Sequence, residues 1–164
     1  MTKSSKTLTL LFLKKDGMVL LAMKKRGFGA GRWNGVGGKV EDGESLEAAL
    51  IRETREEIGV TPTSYAKVAD LRFDEYFKGE PMLMHVHVYV CHEWDGEPTE
   101  SEEMKPRWFV TGNIPYENMW PDDPYWLPQV LDGKRVSADI KLDRDDRVIS
   151  HDVTEVSDGL HTTK

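Results

Sequence analysis

Gly38-Lys39-Val40-Glu41-Asp42-Gly43-Glu44, then Ser45-Leu46-Glu47-Ala48-Ala49-Leu50-Ile51-Arg52-Glu53-Thr54-Arg55-Glu56-Glu57-Ile58, then Gly59-Val60, is the stretch on which the fold turns. Residues 45–58 have the marks of a helix, with Ser45 as N-cap and Gly59 as the stop. At about 100° per residue, Leu46, Ala49 and Leu50 form one stripe that should face a core. Glu53 and Glu57 fall near the centre of that stripe, and Glu56 at its edge. A glutamate-rich helix is ordinarily a solvated face. Here three carboxylates continue the inward stripe, where like charges repel and lose hydration. One lysine or arginine compensates one carboxylate, hardly three. A divalent cation serves all three, because residues at i, i+3 and i+4 converge on one spot. Glu44, just before the helix, can reach the same region, and the glycines Gly37, Gly38 and Gly43 allow close backbone approach.

Outward from the helix, residues 7–13 and 18–23 read as a hairpin around Lys14-Lys15-Asp16-Gly17. A glycine-dense segment covers residues 27–43. Residues 65–77 and 84–91 read as two strands, 106–110 as a short strand and 124–131 as a short helix. Residues 136–142 and 148–156 alternate as a terminal hairpin. We expect one domain over residues 1–156, with 157–164 as a disordered tail. Many strands with one strong helix indicate an α/β layered fold.

The chain has 164 residues and a net charge of −7. That balance opposes a nucleic-acid-coating role, yet it suits a polyphosphate held through cations. No apolar run nears the roughly 18 residues of a membrane span, and the N-terminal apolar stretch reads as a strand, not a signal peptide. The lone cysteine, Cys91, suggests a buried reduced thiol and a cytoplasmic location. His85 and His87 alternate with it on one strand face, opposite Met84, Val86, Val88 and Val90, which favours packing or surface roles over a metal site.

The quoted stretch resembles the signature of the Nudix hydrolases, G-x5-E-x7-R-E-U-x-E-E-x-G-U with U aliphatic. Gly38, Glu44, Arg52, Glu53, Glu56, Glu57, Gly59 and Val60 are in register. Thr54 departs at an aliphatic position, so we expect lowered stability with chemistry intact. Residues 23–35, together with Trp120-Pro121-Asp122-Asp123 and Tyr125-Trp126, are similar to the animal MutT-type branch, which acts on oxidised purine nucleoside triphosphates. The likeness runs from Thr7 to about Val156, with an insertion within residues 65–77 that obscures the places of Phe73 and Phe77.

The resemblance implies an α/β/α sandwich with a mixed curved sheet and a loop-helix carrying the metal ligands. Those ligands are Glu53, Glu56, Glu57, the backbone of Gly37, and Glu103. The implied cofactor is Mg2+ or Mn2+, and Arg52 would orient a glutamate through an ion pair. Substrate contacts are implied for Thr9, Lys24, Asn34, Val36, Gly37, Gly38, Lys39, Met84, Trp120, Pro121, Asp122, Asp123 and Trp126. Hydrolysis would give a monophosphate and pyrophosphate, with Glu56 or Glu53 as the base that takes a proton from water. The expected partner is a small nucleoside triphosphate, with no nucleic-acid polymer or membrane, and the protein is expected to be a monomer. Asp122 and Asp123 are adjacent carboxyls among aromatics, and crowding can keep one of them protonated. Such a pair offers a donor and several acceptors, which would let it read both 8-oxoguanine and 2-hydroxyadenine. The same tetrapeptide also reads as a helix-entry turn with an aspartate N-cap and Pro124 in the first turn.

Overall fold

The two-residue period of the first strand builds two core layers at once. The computed structural model describes residues 4–157, so most of the expected tail lies outside the described residues. In β1 (Ser4–Lys15), Phe12 enters one apolar cluster while Leu11 and Leu13 enter the other, because successive side chains leave a strand on opposite faces. β2 (Met18–Lys24) repeats the pattern, with Val19 and Leu21 on one side and Leu20 and Ala22 on the other. Asp16 and Gly17 link the two strands with φ of 54° and 74°, the left-handed pair that a tight hairpin requires.

α1 (Leu46–Ile58) begins where the Ser45 hydroxyl accepts the Ala48 N–H at 3.1 Å. It stops at Gly59, left-handed at φ 72°, whose N–H donates to Arg55 O. Leu50 and Ile58 place it on the Leu11 face. α2 (Asp123–Leu131) packs Trp126, Leu127 and Val130 on the Phe12 face. The sheet is thus covered on both sides, the expected α/β/α arrangement.

The sheet also contains β3 (Trp33–Asn34), β4 (Thr61–Phe77), β5 (Glu80–Asp95), β6 (Met104–Val110), β7 (Val136–Leu142) and β8 (Val148–Glu155). Its order is β3-β2-β1-β5-β4-β7-β8, with β6 on β2. β1 with β5 and β4 with β7 are parallel, and the other pairs are antiparallel. β4 and β5 run longer than the alternation indicates. Their added rungs close at the turn Lys78-Gly79, at φ 53° and 80°.

β1 and β2 pair only beside their turn, at Lys14↔Val19 and Lys15↔Met18. Beyond it they part, and residues 33–40 fill the fork. Trp33 and Asn34 pair with β2. Further along, Thr9 N–H donates to Gly38 O at 3.0 Å and Val40 N–H to Thr7 O at 2.9 Å. The glycine-dense loop is therefore held at its backbone by the sheet itself.

Thr54 is fully buried, and its hydroxyl donates to Leu50 O at 2.7 Å. The hydroxyl is satisfied within the helix, which offsets the expected loss of stability. Because Leu50 O keeps its helical donor, Thr54→Val should change unfolding free energy by no more than about 1 kcal/mol in either direction, measured by urea denaturation.

Candidate active site

Burial sorts the carboxylates of α1. Glu57 is only 5% exposed, and its Oε1 accepts the Gly37 N–H at 3.0 Å. Burial, followed by repulsion from Glu53 and Glu103, pushes its carboxyl up to about 8 despite that bond. Glu53 is half-buried and raised as well, chiefly by burial against the opposing pull of Arg52. Glu56 is different: its side chain is 61% exposed, with a long 3.5 Å contact to Arg52. Glu103 lies across on the loop before β6, close enough to repel both Glu53 and Glu57.

Arg52 anchors this group. It donates to both oxygens of Glu44 at 2.7 and 2.9 Å, to Glu53 at 2.9 Å and to Lys39 O at 3.1 Å. Glu44 also accepts the Glu41 N–H, and these bonds, Arg52 first, lower its carboxyl to about 2. Glu44 is thus a brace with its oxygens engaged. A Cβ on Gly38 would come within 2.7 Å of the Glu53 carboxyl carbon, and one on Gly37 within 1.9 Å of Thr9 O. Only glycines let the loop lie this close to both β1 and α1. Glu53, Glu57 and Glu103 form an all-oxygen set with too little positive charge of its own, which fits a hard divalent cation.

A cavity of about 200 Å3 runs from this glycine loop toward α2. Thr9, Lys24, Asn34, Gly37 and Gly38 line one end, as the sequence led us to expect. Met84, Trp120, Asp122, Asp123 and Trp126 line the other. Three expected contacts are not on its wall. Val36 pairs with Leu11 and enters the α1-side core, because the extended backbone turns it away from its glycine neighbours. Lys39 is exposed on its bridge to Leu8. Pro121 also lies off the lining.

Asp122 and Asp123 are 2% and 3% exposed. Asp122 stands at the N-cap position but makes no side-chain cap bond. Its Oδ2 instead accepts the Trp126 indole N–H at 2.9 Å, so the helix-entry reading holds for position and fails for the hydrogen bond. Burial raises both carboxyls, and the neighbouring Asp122 raises Asp123 further. Asp123 Oδ2 has no partner among the described residues.

Sequence reasoning missed the setting of Trp120. Phe28 lies 5.0 Å from its ring and the Arg32 guanidinium 4.1 Å above it. Phe73 lines the cavity, whereas Phe77 packs outside against Phe28 at 5.1 Å. Glu75 is also on the lining and, once the register is fixed, continues the inward row Ala69, Leu71, Phe73.

On the α1 face of the sheet, potential ligand atoms of Asp70, His85 and His87 lie within 4.8 Å of one another. Lys67 already supplies a cation there, 3.0 Å from Asp70 and 2.8 Å from His87 Nδ1. Burial, then Lys67, lowers His87 to about 4, so it is neutral. Cys91 is fully buried, its Sγ donating to Glu93 O at 3.0 Å. Both agree with packing roles.

Residues 5–130 match the family model of the NUDIX domain, and the chain belongs to that family of hydrolases, which generally use divalent metal ions. Within the family it is 46% identical over 155 residues to a Danio rerio protein called oxidized purine nucleoside triphosphate hydrolase, covering 94% of this chain and 98% of that one. A Mus musculus protein of the same name is 44% identical over 153 residues, covering 93% and 97%. Among solved structures, a MutT protein from Bacillus halodurans superposes with a TM-score of 0.79 at 24% identity, over 90% of this chain and 97% of that one, a likeness of fold. Among the described residues no helix is long and apolar enough to cross a membrane.

Proposed function

We propose that this protein hydrolyses oxidised purine nucleoside triphosphates, 8-oxo-dGTP and 2-hydroxy-dATP among them, to the monophosphate and pyrophosphate. One observation carries the reading: a single cavity joins the glycine loop beside the α1 carboxylates to a buried aspartate pair next to an aromatic platform. The names of the fish and mouse relatives agree with it.

Glu53, Glu56, Glu57 and Glu103, with the Gly37 backbone, would hold Mg2+ or Mn2+, which when bound screens the phosphate charge and polarises phosphorus. Lys24 faces the cavity near Glu57 and neutralises phosphate oxygens. Glu56 or Glu53 takes the proton from the attacking water. Arg52 keeps Glu53 in place through their ion pair. At the other end Trp120 stacks on the base. Asn34 bonds the base and Thr9 the sugar side. Asp122 and Asp123 read the base edge, and moving their one proton between them matches different lesions. The protein works as one domain over residues 1–156, as a cytoplasmic monomer on a small-molecule substrate. The buried thiol of Cys91 supports that location.

The test compares kcat/KM for 8-oxo-dGTP and dGTP with Mg2+. The oxidised nucleotide should be favoured at least tenfold, the effect of about 1.4 kcal/mol of added recognition. Equal values would defeat the oxidised-purine reading and leave a hydrolase of other nucleoside polyphosphates. Binding without any pyrophosphate release would instead indicate a silent nucleotide-binding module.

A further inference from the structure

The inward positions of β4 run Ala69, Leu71, Phe73 and then Glu75. The first three belong to the core, and the fourth puts a carboxyl where an apolar side chain is expected. Glu75 is 6% exposed and lines the cavity with Asp122 and Asp123. Its carboxyl has no hydrogen-bond or ion-pair partner among the described residues. A buried carboxyl without a partner costs free energy, so it is either a defect or a group whose partner arrives with the ligand. Two neighbours favour the second. Thr9 Oγ1 and Asp123 Oδ2 are likewise buried, unpartnered and on the same lining. Unsatisfied polar groups that open on one cavity describe the shape of a missing polar ligand.

The surroundings fix the form Glu75 takes. Asp122 of α2 and Asp146 of the β7–β8 turn repel it. Arg32 is engaged elsewhere, 3.6 Å from Asp146 and over the Trp120 ring. Burial and these two carboxylates push Glu75 up to about 8, so near neutral pH it is a neutral acid. It then offers an O–H donor beside a C=O acceptor. The complement is a heterocycle edge with adjacent C=O and N–H groups. Guanine has one such edge, at C6 and N1. Oxidation at C8 creates a second, a C8 carbonyl beside a protonated N7, which the undamaged base lacks.

We propose that Glu75 is a third base-reading carboxyl, bonding an edge of the purine that Asp122 and Asp123 leave free and sharpening the choice of oxidised over plain base. This rests on the oxidised-purine reading of the site. Steady-state kinetics of the full chain with Mg2+, on 8-oxo-dGTP and dGTP, test it in wild type, Glu75→Gln and Glu75→Leu. Glu75→Leu should raise KM for 8-oxo-dGTP about tenfold, the loss of roughly one hydrogen-bonded contact, with kcat little changed. The kcat/KM ratio of the two nucleotides should shrink by a similar factor. Glu75→Gln keeps a neutral donor and acceptor and should retain most of the ratio. Wild-type KM should also rise in the alkaline range as Glu75 ionises, and by more than in Glu75→Gln, where only the Asp122–Asp123 pair still loses its proton. A steep wild-type ratio left equally steep by Glu75→Leu overturns this proposal alone. A flat ratio in wild type overturns the reading of the site and this proposal with it. If Glu75→Leu does not fold, the pH profile decides, and an alkaline KM rise as large in Glu75→Gln as in wild type overturns the proposal.

Discussion

Glu56→Gln should lower kcat by roughly a hundred- to ten-thousand-fold, the range for removing a positioned acid–base group, while the melting temperature stays put. The structure makes the two outcomes separable. Glu56 projects outward with a 61% exposed side chain and only a 3.5 Å contact to Arg52, and exposed substitutions of this kind seldom move stability by more than about 0.5 kcal/mol. Single-turnover release of pyrophosphate and calorimetry on the same preparation check it. Near-normal kcat would remove Glu56 from the chemistry. Glu57→Gln is the instructive contrast. Glu57 is buried, with one N–H donor and two repelling carboxylates. Its replacement should also cost activity, yet near neutral pH the protein without metal should melt higher, because a carboxyl that burial forces to take up a proton on folding gives way to a neutral amide. At roughly 2–4 °C per kcal/mol for a domain of this size, a rise of several degrees is the expected reading. Added Mg2+ should stabilise wild type more than the Glu57→Gln variant.

Asp122→Asn should change which base is accepted more than how fast it is cut. The Trp126 indole N–H can still be met by the amide oxygen, so α2 keeps its entry geometry. What disappears is one titratable carboxyl: an amide cannot ionise, so the pair no longer offers an ionised acceptor beside a protonated donor. A hydrogen bond to a charged group contributes about 1.5–3 kcal/mol, so the kcat/KM ratio of 8-oxo-dGTP to 2-hydroxy-dATP should shift at least about tenfold. An unchanged ratio would make the pair a structural feature of the helix start. The sign with pH follows from the raised carboxyls. As pH climbs past their range the pair loses its proton, the donor is lost, and binding of any base that needs it weakens. As pH falls the donor is kept and the ionised acceptor is lost.

The α1 half of this site was legible because helix periodicity, the Ser45 cap and the Gly59 stop are all local signals. Glu53 and Glu57 could be placed inward before any coordinates. The same wheel put Glu56 at the edge of the stripe, and it emerges exposed. The fork between β1 and β2 was not legible. Nothing local says that a glycine-dense stretch will bond to one strand at Asn34 and to another at Gly38, so Val36 and Lys39 were expected on a cavity wall that they do not line. Glu75 was hidden for a different reason. The insertion near it left the strand register open, and a one-residue slip sends every side chain to the opposite face. Once Phe73↔Met84 is fixed, Glu75 must point inward. Around Trp120, Phe28 and Arg32 arrive from a loop remote in sequence, a contact that pattern reading does not reach.

The cavity wall is made by separate segments: the fork-held glycines supply one part, and the start of α2 with β4 another. Heritable change can therefore act on them independently. Side chains at Glu75 or around Asp122 can be exchanged without touching Gly37 or Gly38, where an added Cβ would collide with Thr9 or Glu53.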